Sequence, residues 1–69
     1  MEPGIYTAIY KGQDGLLGFS TNKQYVIEIK KNPNECYNIH ELENDLYMIL
    51  ASKISIDRYW DFQDKNNTD

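Results

Sequence analysis

Sixty-nine residues carrying a single Cys and a single His make one domain, and its core can draw on neither an intrachain disulfide nor a structural zinc site. Six Tyr, two Phe and one Trp must supply the buried area instead, because aromatic rings cover large areas per residue. The net charge of −4 sits in the second half: residues 1–31 hold four Lys against three acids, residues 32–69 eight acids against Lys53, Arg58 and Lys65, a distribution that repels phosphate backbones and disfavours nucleic acid as a partner.

In chain order, Ile5–Tyr10 is β-branched and aromatic and reads as a strand, with Tyr6 and Tyr10 on one face and Ile5, Thr7 and Ile9 on the other. Lys11–Gly15 is a turn, its two glycines open to positive φ. It is not a phosphate loop, since the Gly-Lys-Ser/Thr ending is missing. A short apolar piece, Leu16–Phe19, and a second turn, Ser20–Lys23, follow. Gln24–Lys31 is the clearest strand, with Tyr25, Ile27 and Ile29 facing one way and Val26, Glu28 and Lys30 the other. Asn32–Glu35 breaks it, because Pro33 has no N–H for a sheet ladder.

Cys36–His40 alternates again around Tyr37 and Ile39, and the mostly polar stretch Glu41–Asp45 turns the chain. Leu46–Leu50 is apolar throughout. Its length fits a strand, although Leu and Met also favour helix. Ser55 is a candidate N-cap for one helical or 3₁₀ turn near residues 55–59, and a last strand is expected around Trp60–Gln63. Residues 64–69 read as a polar, frayed tail behind a domain spanning 1–63. Five or six short strands with turns about every ten residues predict a mainly β fold, a small antiparallel barrel whose closure would remove exposed edges. Tyr10, Phe19, Tyr25, Ile27, Ile29, Ile39 and Trp60 or Phe62 are its expected core.

The order Ile9-Tyr10-Lys11-Gly12, Leu17-Gly18-Phe19, Lys23-Gln24-Tyr25 and Ile27-Glu28-Ile29, closed by Ser55-Ile56-Asp57-Arg58-Tyr59-Trp60-Asp61-Phe62, resembles a group of small proteins found in bacteriophages and prophages of Gram-positive bacteria. The resemblance covers residues 5–63 apart from the stretch 32–45, and it implies an SH3-like barrel. Signalling SH3 domains are a poorer match, because the tryptophan of their peptide groove has no counterpart here. Proline-rich peptide binding is therefore not implied.

No residue set in the sequence calls for catalysis. His40 has only Cys36 within a strand's reach as a partner, and on an extended strand the two would share a face; an outward polar His and an ordinary Cys are the plainer reading. The recurring acids Glu41, Glu43, Asp45, Asp57, Asp61 and Asp64 suit solvated turns better than a paired-carboxylate site, for which nothing fixes a separation. The chain is accordingly read as a non-enzyme without cofactor or metal.

Tyrosine and acid together point elsewhere. Tyr6, Tyr37, Tyr47 and Tyr59 are candidate interface anchors, with Glu41, Glu43 and Asp45 as a polar rim. The leading expectation is a phage-type accessory protein that binds a host protein, such as a defence component, and inhibits or modulates it. Its alternatives are an oligomer that sequesters a small ligand or nucleotide between protomers and, third, a barrel that binds single-stranded nucleic acid. No run approaches the ~20 apolar residues of a membrane helix, so no membrane is expected. The lone Cys and the start Met1-Glu2-Pro3-Gly4, without a basic apolar leader, fit a cytoplasm, the host's if the chain is phage-encoded.

Overall fold

A computed structural model describes residues 2–34 and 36–65 of the chain. Alternation decides the strands. β1 (Gly4–Tyr10) turns Tyr6, Ala8 and Tyr10 inward, and β2 (Gln24–Lys31) does the same with Tyr25, Ile27 and Ile29. β3 (Tyr37–Glu41) buries Tyr37, Ile39 and Glu41, while β4 (Leu46–Leu50) buries Met48 and Leu50. A helix α1 (Lys53–Tyr59) leads directly into β5 (Trp60–Lys65). β5 therefore extends two residues into the stretch expected to fray; residues 66–69 of that tail lie outside the described residues.

All five strands form one antiparallel sheet in the order β4-β3-β2-β1-β5. The chain meanders from β1 to β4, then returns through α1 to set β5 beside β1, the strand order of an SH3-like barrel. Closure differs from the sequence-based expectation in one respect. β4 and β5 do not pair; α1 packs against both and spans the opening between them. The helix starts at Lys53 rather than near Ser55, because Ser52 is its cap: the Ser55 N–H donates to the Ser52 hydroxyl at 3.3 Å. This start gives α1 two turns and places Ile56, its one buried residue, fully inside.

The core is an aromatic cluster enclosed by aliphatic side chains. Trp60 lies 5.3 Å from both Tyr10 and Phe19, ring centre to ring centre, and 6.1 Å from Tyr25, in the tilted and edge-to-face arrangements that suit ring quadrupoles. The tyrosines bury their rings and carry their hydroxyls to backbone groups at the rim. Tyr10 donates to the Gln13 carbonyl at 2.9 Å, Tyr6 donates to the Glu2 carbonyl at 2.6 Å, and Tyr25 accepts from the Ser20 N–H at 2.8 Å. Two of these bonds pin the long β1–β2 connection, which contains a 3₁₀ turn at Leu16–Gly18. All the expected core positions are buried, Phe62 in part.

Candidate binding face

The side of β2, β3 and β4 turned away from the core carries Glu28 and Lys30, Asn38 and His40, and Tyr47 and Ile49. Register sets them in two rows across three strands: Glu28, His40 and Tyr47 in one, Lys30, Asn38 and Ile49 in the other. Together they line a shallow hollow of about 360 Å³. Its two large apolar members, Tyr47 and Ile49, are 58% and 69% exposed.

The β3–β4 turn organises one end of this face from both sides of the sheet. On the core side, the fully buried Glu41 carboxylate accepts the Glu43 N–H at 2.9 Å and the Asn44 N–H at 2.8 Å, so it templates the turn. Asp45 closes the turn at φ 60°, a left-handed conformation that Asp tolerates better than most residues. From there its carboxylate reaches the outer face, 2.6 Å from His40 Nε2, and it also accepts the Tyr47 hydroxyl at 3.1 Å. An ionised carboxylate only accepts, so Nε2 is the protonated ring nitrogen. The His40 and Tyr47 rings stack 4.3 Å apart and within 3° of parallel. Hydrogen bonds from His40 and Tyr47 hold the Asp45 carboxyl below the usual carboxylate range, and donation to Asp45 pushes the Tyr47 hydroxyl up.

Of the seven residues expected at a partner surface, Asp45 and Tyr47 meet here, and Glu43 is exposed in the adjoining turn. Four do not belong to an exposed patch. Tyr6 and Tyr37 are buried because the inward faces of β1 and β3 begin with them, and Lys31 covers the Tyr37 ring. Glu41 is consumed by the turn. Tyr59 is half-buried against the β1–β2 connection, its carbonyl accepting the Lys11 N–H. Cys36 and His40 make separate contacts, the thiol with the Asn34 carbonyl and the imidazole with Asp45. Ile49 was hidden in a run that is apolar on both faces. Continuing the alternation of β3 across the hairpin would have marked it, with Tyr47, as outward.

Fold and face together define a small, mainly β protein, one five-stranded antiparallel sheet with an exposed aromatic and aliphatic outer surface. Comparison with protein-family models, curated proteins and solved structures finds no match to the chain. Among the described residues, no helix is long and apolar enough to cross a membrane, and no three His, Cys, Asp or Glu side chains are grouped to hold a metal ion.

Proposed function

We propose that the chain is a binding module that docks on a protein partner through the outer face of β2, β3 and β4. Tyr47 and Ile49 are its anchors, and Glu28, Glu43 and Asp45 its acidic border. The observation that carries this reading is the posture of Tyr47. A side chain more than half exposed is nevertheless held on both its ring and its hydroxyl, by His40 and Asp45. An anchor fixed before docking loses little rotamer freedom on binding, which leaves more of its contact energy as affinity.

The acidic border suits a basic partner, whose approach it would steer and orient. Resemblance to phage and prophage proteins supports a host protein as that partner, and inhibition of a host enzyme or defence component as the consequence. The test is retention of a stoichiometric protein from a Gram-positive host lysate by the tagged chain, repeated with Tyr47→Ala/Ile49→Ala. The double variant is expected to weaken binding by about 2 kcal/mol or more, roughly thirtyfold. Asp45→Lys is expected to slow association and flatten its dependence on salt. Equal retention by wild type and both variants would reject this face as the docking surface.

A further inference from the structure

The Tyr47 ring has two faces, and the chain covers one of them. His40 stacks on it at 4.3 Å, so the exposure of Tyr47 falls on the opposite face and the ring edge. Two other tyrosines show what this chain places over such a ring. Lys23 Nζ stands 5.2 Å from the centre of Tyr25, and Lys31 Nζ 6.0 Å from that of Tyr37, within the reach at which a cation is drawn to an aromatic face. Tyr47 has no such cation among the described residues. It has a carboxylate at its hydroxyl instead. Asp45 spends Oδ1 on both His40 and Tyr47, and its Oδ2 has no hydrogen-bond partner among the described residues. Lys30, the cation in the second row of the face, stands on β2, two strands from Tyr47. That is about 10 Å of sheet, roughly one Debye length at physiological salt, so Lys30 does not oppose a cation at Tyr47 strongly.

We propose that the protein partner presents an arginine side chain to this face, laid flat on the free side of the Tyr47 ring and donating to Asp45 Oδ2. The inference rests on the docking reading above and names the chemistry its anchor selects. Ring and carboxylate lie side by side, joined by the hydroxyl bond at 3.1 Å. A planar guanidinium can stack on the first while its in-plane N–H groups reach the second. A lysine ammonium is a compact, strongly hydrated charge that cannot stack in this way. An apolar side chain would cover the ring equally well, but it would strip water from Asp45 Oδ2 and offer no donor in return, which is costly for a charged acceptor. Ring and carboxylate are both in place beforehand, since His40 backs the one and bonds the other.

Amide NMR titration of the full chain with three blocked pentapeptides, Gly-Gly-X-Gly-Gly with X as arginine, lysine or citrulline, tests the proposal. The arginine peptide is expected to shift the amides of Asp45 and Tyr47 with a Kd on the order of 1 mM. The lysine peptide is expected to bind about threefold more weakly, and the citrulline peptide, planar but uncharged, about tenfold more weakly. Tyr47→Leu and Asp45→Asn should each weaken the arginine peptide about fivefold. Asp61→Asn, which removes the same charge from an exposed position on the opposite edge strand, should leave it unchanged. The absence of shifts at Asp45 and Tyr47 up to about 20 mM arginine peptide overturns the proposal, as does equal binding of the citrulline peptide. An Asp61→Asn loss equal to that of Asp45→Asn overturns it too, since net charge alone would then explain the attraction. The spectra report whether each variant is folded, and the citrulline comparison needs no variant. Retention of a lysate protein that depends on Tyr47 and Ile49, found without a preference for arginine, overturns this inference alone and leaves the docking face standing.

Discussion

Glu41 shows how a single residue can look like surface chemistry in sequence and act as scaffold in the fold. It lies in an acidic stretch, yet it is fully buried with both oxygens committed to the backbone of the turn it precedes. Glu41→Gln keeps the shape but turns one acceptor into a donor that faces an N–H. A loss of about 2 kcal/mol in urea unfolding is expected. Asp45 works on the outside of the same turn. Its folded pKa lies below the ordinary value of 3.8, so its stabilisation is complete above that value and drains away as pH falls through the lowered one. Tyr47 has the opposite sign: its hydroxyl is raised above 10.0, so its share is intact below that pH and is lost as alkali carries the pH through the raised value. Melting temperatures of wild type and Asp45→Asn are therefore expected to differ near neutrality and to converge in acid.

Among the elements, the β1–β2 connection is pinned by strand side chains, the Tyr10 hydroxyl donating to the Gln13 carbonyl and the Tyr25 hydroxyl accepting the Ser20 N–H. Gly12 is essential there for space rather than for positive φ, which falls to Gly15 and Gly18. A Cβ on Gly12 would run into the Tyr59 ring and the Tyr10 hydroxyl end. Gly12→Ala is expected to cost about 2 kcal/mol, measured by thermal or denaturant unfolding, because neither tyrosine can withdraw without disturbing the core. The strands themselves were legible wherever one face is apolar and the other polar, as in Tyr25-Val26-Ile27-Glu28-Ile29. Leu46–Leu50 was ambiguous for the converse reason: its outward residues are apolar too. The helix start was misplaced because Ser52 and Ser55 are both good caps three residues apart, and only the need to seat Ile56 in the core distinguishes them.

For the molecule as a whole, closure depends on α1. Because β4 and β5 do not pair, Ile56 fills the gap that a further ladder would have sealed. Ile56→Ala is expected to destabilise the fold by about 3 kcal/mol in urea unfolding, since neighbours held by the sheet cannot collapse into the space. The docking face was less legible than the barrel. Composition flagged tyrosine and acid, but exposure depends on which face of which strand a residue occupies, and that follows from register. Hence Tyr37 and Tyr47, equivalent by residue type, end up on opposite sides of the same sheet. His40 gained its importance only when the hairpin folded Asp45 and Tyr47 onto it.

The aromatic centre of the barrel has a practical corollary. Trp60 is the only indole in the chain; it is buried among Tyr10, Phe19 and Tyr25, and its Nε1–H has no hydrogen-bond partner among the described residues. An indole in so apolar a setting emits at short wavelength, collects excitation energy from the surrounding phenols, and shifts to the red when water reaches it. Its position in the core, on the opposite side of the sheet from Tyr47 and Ile49, screens it from whatever docks on the outer face. The protein thus carries an intrinsic optical gauge of its folding that stays silent while partners come and go.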